Sequence, residues 1–208
     1  MKNVTPSIKI QRQQLRQELR AKRNLLSLEQ QQNASNQIAQ QLMSITKVGD
    51  VVALYLANDG ELSPNLAISQ LQKAGRICLL PVMHSFRKGY LNFQRYQTTT
   101  PMISNHFGIS EPKLNSTETY PLSDIDYIFM PLVGFDDQGN RMGMGGGFYD
   151  RTLAKIDTLV TPPKLIGLAH DCQQVALLPI ESWDIAIDQI ITPSRQIIGK
   201  NNSGLSKA

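Results

Sequence analysis

Apolar positions recur along this chain with two periods, and the changes of period mark its elements. Residues 7–26 hold neither proline nor glycine and are rich in Gln, Arg and Leu, which predicts a helix. Arg12, Arg16, Arg20 and Arg23 recur there at spacings of four and three, so they share one face. SLEQ, residues 27–30, reads as a capping box, with Ser27 as N-cap and Gln30 reaching back. It opens a second helix over about 28–43, with Ile38, Leu42 and Met43 on the apolar side. VGDVVALYLA, residues 48–57, is β-branched and mostly apolar, as a buried strand is. After NDGEL, Ser63 and Pro64 suit the N-cap and first position of a helix carrying Leu66, Ile68 and Leu71 and stopping at Gly75. RICLLPVM, residues 76–83, is the next strand, so this stretch is a βαβ unit with a parallel strand pair and a right-handed crossover.

Alternation in YLNFQRY, residues 90–96, predicts a half-exposed strand. Residues 97–122 are rich in Thr, Ser, Asn and Pro and read as surface loops, with GISEP at 108–112 as a fixed turn. DIDYIFMPLVGF, residues 124–135, is the most apolar strand, and 164–170 and 186–192 are two more. The expected fold is α/β: an open, mostly parallel sheet with helices on both faces, three layers αβα, and a basic N-terminal helix. One domain is expected over 1–199, followed by a polar tail at 200–208 expected to be disordered.

Charge changes this picture at one place. The net charge is +4, but seven basic residues in the first 25 positions face only Glu18, which leaves the remainder close to neutral. A basic face suits nucleic acid, a membrane or a phosphorylated small molecule. With only 6% aromatic residues and no basic surface signal elsewhere, a nucleic-acid module is disfavoured. No apolar run approaches 18 residues and the N-terminus is polar and basic, so a cytoplasmic protein is expected. Cys78 and Cys172 lie far apart without C-x-x-C spacing, and His84, His106 and His170 are scattered; reduced thiols and no zinc site are expected.

RMGMGGGFYDR, residues 141–151, is the stretch that carries chemistry. It follows the most apolar strand and precedes TLAKI, which has helical character, so the order is strand, glycine loop, helix. Gly143 and Gly145 to Gly147 free the backbone to wrap an anion. Arg141 supplies fixed positive charge, the start of a helix near Gly147 adds unpaired N–H groups, and Asp150 can hold a magnesium ion facing phosphates. A tight turn that merely needs glycine is the bland alternative. The company of Arg141, Tyr149, Asp150 and Arg151 favours the anion site, although neither G-x-x-x-x-G-K-[ST] nor G-x-G-x-x-G is present. Ligands of open α/β sheets bind at the carboxyl ends of strands, where Glu61, Asp150 and Asp188 are the nearby carboxylates. A sugar-phosphate isomerase or CoA-transferase-like enzyme needs a general base in such a site, for which Asp136, Asp137 and His170 are the candidates.

VGFDDQGNRMGMGGGFYDRTL, together with the LRQELR helix, NDGEL, GISEP and the final DIAIDQIITP, resembles the 5-formyltetrahydrofolate cyclo-ligase family, from the first helix to about Pro193. The resemblance implies an ATP- and magnesium-dependent cyclisation of 5-formyltetrahydrofolate to 5,10-methenyltetrahydrofolate with release of ADP and phosphate. It also implies small-molecule substrates, with no nucleic acid or membrane as partner, and a monomer. It places Arg12, Arg16, Arg141 and the loop Gly143, Met144, Gly145, Gly146, Gly147, Phe148 and Tyr149 on ATP. Leu56, Glu61, Phe107 and Phe148 fall on the folate, and Asp150 and Asp188 on the metal. The family usually has lysine where Arg12 stands, and some relatives carry basic residues in place of Met144 and Gly146. The loop of this chain must therefore rely more on backbone amides.

Overall fold

Strand residues alternate strictly between two apolar layers, as the pleat of a sheet buried on both faces requires. Val52, Leu54, Cys78, Leu80, Phe129, Ile166, Leu168 and Ile191 enter one layer; Ala53, Leu79, Ile128, Met130, Leu165 and Ile190 enter the other. The computed structural model describes residues 7–199, and the 200–208 tail lies outside them.

In chain order the elements are α1 (Ile8–Asn24), α2 (Leu28–Ile45), β1 (Val51–Ala53), α3 (Asn65–Lys73), β2 (Ile77–Met83), β3 (Leu91–Arg95), β4 (Met102–Ser104), β5 (Ser110–Pro112) and β6 (Thr119–Tyr120). There follow β7 (Tyr127–Pro131), β8 (Gly134–Phe135), β9 (Arg141–Met142), α4 (Phe148–Leu153), β10 (Lys164–Leu168), β11 (Gln189–Ile191) and β12 (Gln196–Ile198). The main sheet runs β12-β11-β10-β7-β1-β2-β3-β6. Its middle, β11 through β2, is parallel, and β12, β3 and β6 are antiparallel additions at the edges. This is the expected α/β sheet. Helices α2 and α3 cover one face through Ile38, Leu42, Ala67, Ile68 and Leu71. The other face is covered by Leu153 of α4 and Phe135 of the β8–β9 hairpin, with Ile156 and Ile187.

Local signals held where their partners are local. Ser27 Oγ accepts the Gln30 N–H at 3.2 Å and Gln30 Oε1 accepts the Ser27 N–H at 2.8 Å, the complete capping box. Pro64 is the cap of α3 instead of its first residue, and Ser63 Oγ only brushes the Asn65 N–H at 3.4 Å. Gly75, at φ +79°, ends that helix as expected.

Three expectations need correction. The first strand is three residues long, because after Ala53 the chain keeps only the Leu54 N–H to Leu79 carbonyl bond before turning into the 58–61 loop. Residues 97–122 are not all loop: β4 and β5 form a hairpin and β6 extends the main sheet. GISEP is accordingly part strand, held by Glu111, which is 8% exposed and accepts N–H groups of Met83 at 3.3 Å and Asn105 Nδ2 at 3.0 Å. The central strand stops at Pro131, and the β8–β9 hairpin intervenes before the glycine loop. Asp136 closes that hairpin by accepting N–H groups of Gln138 and Asn140, so the run of apolar residues belongs to two elements instead of one.

Candidate active site

Helix α1 turns its basic face inward. Its Leu19 is fully buried against Val133, Met142 and Leu178, and this seats the helix on the β8–β9 hairpin. Arg12 forks onto Asp184, with Nη2 donating to Oδ1 at 2.9 Å and Nη1 to Oδ2, and Nη1 also reaches the Pro179 carbonyl at 2.8 Å. Arg16 donates from Nε to the Gly143 carbonyl at 2.8 Å. Burial, with the nearby Arg12 charge, lowers its pKa from the usual value, while Asp184 opposes. Arg20 and Arg23 converge on Asp59 at 2.6 and 2.9 Å, and Arg23 is 0% exposed where a solvated helix surface is the simplest sequence reading.

The hairpin delivers Arg141 to the root of the glycine loop. Arg141 is 5% exposed, donates from Nη2 to Asp150 Oδ1 at 2.6 Å, and keeps its Nε–H buried without a partner among the described residues. Gly147 adopts a left-handed φ of +65° as the cap of α4, and Gly145, at φ +96°, is where a Cβ would press to 3.4 Å from the Arg16 guanidinium carbon. Met144, Gly145 and Gly146 are exposed. Helix α4 has only six residues, so its dipole adds little and the positive charge here comes from arginine. Arg151 anchors the loop by donating to the Gly146 carbonyl and to the Gly89 carbonyl at 3.0 Å.

Across from the loop, the turn after β1 presents Leu56 and Glu61. Burial raises the Glu61 pKa, while the Asn58 N–H and the Arg23 charge pull it down. Burial first, then the Glu61 carboxylate, raise the Tyr149 phenol pKa, and Arg141 opposes. Phe107, exposed on the β4–β5 hairpin, meets Phe148 edge-on at 5.8 Å between ring centroids. Phe107 and Phe148 thus meet beside the glycine loop, and Glu61 lies on the turn that the Arg23 guanidinium joins to that loop through Asp59 and Met144, while Leu56 packs at the edge of the core under α2 and α3.

Asp188 is the expected site residue that the structure does not bring there. Its Oδ2 accepts the Leu165 N–H at 2.7 Å, at the amino-terminal ends of β10 and β11, whereas the loop lies beyond the carboxyl ends. Ile185, the residue after Asp184, donates its N–H to Asp150 Oδ1 at 3.3 Å, while the Asp184 carboxylate accepts from Arg12 and from the Glu181 N–H at 2.9 Å. Sequence reasoning missed Asp184 and Arg23. The recurrence of Arg23 on the arginine face is a signal for the latter; nothing local marks Asp184, whose partner Arg12 is 172 positions away. No group of three or more His, Cys, Asp or Glu among the described residues can hold a metal alone. Of the candidate bases, Asp136 is fully buried on backbone N–H groups and His170 is 3% exposed, so neither is open to a substrate carbon.

The class these features define is an α/β enzyme with an arginine-rimmed glycine loop beyond the carboxyl edge of its sheet. The chain belongs to the 5-formyltetrahydrofolate cyclo-ligase family, whose model matches residues 8–193. It is 44% identical to the 5-formyltetrahydrofolate cyclo-ligase of Escherichia coli K12 over 179 residues, covering 85% of this chain and 97% of that one. The Haemophilus influenzae protein of the same name is 44% identical over 182 residues, 86% and 96% of the two chains. Among solved structures, the 5,10-methenyltetrahydrofolate synthetase of Aquifex aeolicus superposes with a TM-score of 0.76 at 26% identity, covering 94% and 96%. No helix of the described residues is long and apolar enough to cross a membrane.

Proposed function

We propose that this protein closes 5-formyltetrahydrofolate to 5,10-methenyltetrahydrofolate at the expense of ATP. The observation that carries the reading is that the Arg23 guanidinium joins the glycine loop to the 58–61 turn, lying 4.0 Å from Met144 Sδ and 2.9 Å from the Asp59 carboxylate. A loop suited to phosphates and a carboxylate suited to a planar N–H donor pattern are therefore neighbours.

The formyl group on N5 is an amide, too weak an electrophile for N10. Its oxygen attacks the γ-phosphorus of ATP, ADP leaves, and the resulting imidate phosphate carries a good leaving group. N10 then adds to the formyl carbon, its proton is lost, and the C–O bond breaks to release phosphate and leave the methenyl bridge. The protein's part is positioning and charge neutralisation. Arg12, Arg16 and Arg141, with the amides of residues 143–147, hold the phosphates; the Arg141 Nε–H, without a partner among the described residues, is a donor for an oxygen. Glu61 accepts from the pterin, with Leu56, Phe107 and Phe148 around it. A magnesium ion shared with phosphates would take Asp150 and Asp184 as hard oxygen ligands, too few for an all-protein cage and sufficient beside a triphosphate. When bound, the ion neutralises charge on the transferred group.

The test is an absorbance assay for the methenyl product with purified protein, 5-formyltetrahydrofolate, magnesium and ATP, omitting each component in turn. Product is expected only in the complete mixture. Product formed without ATP, or none with everything present, overturns the reading.

A further inference from the structure

Arg23 spends a fully buried guanidinium on one turn. Its Nε donates to the Asp59 carbonyl at 2.8 Å and its Nη2 to the Asp59 carboxylate at 2.9 Å, so backbone and side chain of one residue are both held. Its Nη1 reaches the Leu132 carbonyl, just past β7, at 3.4 Å, and Nη2 lies 4.0 Å from Met144 Sδ in the glycine loop. Asp59 is the one non-glycine residue with positive φ, +52°, among the described residues. That conformation is disfavoured for a residue with a Cβ, so the surroundings must hold it. Inside the turn, the Glu61 N–H donates to the Asn58 carbonyl and Glu61 Oε2 accepts the Asn58 N–H, both at 3.0 Å. The orientation of the Glu61 carboxylate is thus part of the shape that Asp59 imposes.

We propose that Arg23 is a positioning residue: by gripping Asp59 at two points it sets the 58–61 turn, and with it the aim of Glu61 toward the folate. This rests on the reading of Glu61 as a folate contact. The fork is what the role requires, because a lysine can meet the carboxylate or the carbonyl but not both in the plane seen here. Helix α1 then has two tasks, presenting Arg12 and Arg16 to the nucleotide side from its first half and fixing the folate side from its last turn.

The test compares Arg23→Lys with Arg23→Met, which removes the hold on the Asp59 carbonyl and leaves the carboxylate to Arg20. In both, the KM for 5-formyltetrahydrofolate is expected to rise about tenfold while kcat and the KM for ATP stay within about twofold. Hydrogen exchange at the Glu61 amide is expected to quicken, with α2 amides unchanged. Folded variants with unchanged folate KM and unchanged Glu61 exchange overturn the proposal; so does a parallel loss of kcat, both KM values and melting temperature, which marks a purely structural role. If the wild-type protein turns over no 5-formyltetrahydrofolate, it is the functional reading that fails, and the exchange arm still decides whether Arg23 sets the turn.

Discussion

Arg12 Nη2 donates to Asp184 Oδ1 at 2.9 Å, and one peptide further on the Ile185 N–H reaches the carboxylate that accepts from Arg141. Two arginines and two acids therefore form a small group of alternating charge at the rim of the glycine loop. A triphosphate carrying a cation offers each member a replacement partner: phosphate oxygens for the arginines, the metal for the acids. On that exchange, Asp184→Asn is expected to raise the magnesium concentration for half-maximal activity about tenfold or more. Asp188→Asn, which loosens the start of β10, is expected to lower the melting temperature and leave the magnesium requirement in place. Magnesium titrations of both variants, read by turnover and by nucleotide binding, check this.

The two sides of the cleft are separable by mutation. Arg141→Ala removes a buried charge-assisted donor and is expected to raise the KM for ATP about a hundredfold, roughly 3 kcal/mol, with a small effect on folate. Glu61→Ala is expected to raise the KM for 5-formyltetrahydrofolate instead. Steady-state kinetics with each substrate varied in turn decide the matter, and equal effects of both changes on both ligands contradict the assignment.

Acid is expected to destabilise the protein through His170. Burial pushes its pKa down to about 4, the Arg23 charge adding and Asp171 opposing, from an ordinary 6.5. The unfolded chain takes up the proton near 6.5 and the folded protein only near 4, so the stability from the neutral ring is complete above 6.5 and is lost as pH falls from 6.5 toward 4. His170→Gln is expected to flatten the fall in urea midpoint between about pH 7 and about pH 5. A slope equal to that of the wild type in this window goes against the argument.

Leu19 decides whether α1 is a fixed part of the site. Fully buried with Val133, Met142 and Leu178, it is expected to cost about 3 kcal/mol on truncation to alanine. Because Arg12 and Arg16 ride on the same helix, the KM for ATP is expected to rise as well. Denaturant unfolding and ATP kinetics of Leu19→Ala provide the check; a loss of stability with no change in ATP kinetics separates the helix from the nucleotide.

Asp59 marks a second acid-sensitive step, at lower pH. Hydrogen bonds from Arg20, then from Arg23 and Asn24, bring its carboxyl from 3.8 down to about 2 against the opposing effect of burial. The folded form thus releases its proton more readily than the unfolded one, and the stability gained is present above about 4 and lost as pH falls toward 2. Asp59→Asn is expected to weaken the pH dependence there while leaving the His170 window intact.

What this sequence determined by itself is whatever depends on neighbours a few positions away. The Ser27–Gln30 box, the stop at Gly75, the two-residue alternation of the buried strands and the glycine loop are all short-range facts of backbone geometry and pattern, and they were legible together with the family. The short strands of residues 97–122 were not, since two or three residues cannot display a period. Tertiary structure alone decided where the charges found their partners. Asp184 and Asp188 are the same residue type four positions apart, yet one meets Arg12 and the other ties down the beginning of a strand. Coulomb attraction and hydrogen bonding act over a few ångströms of space, and only the folded path of the chain says which groups come that close.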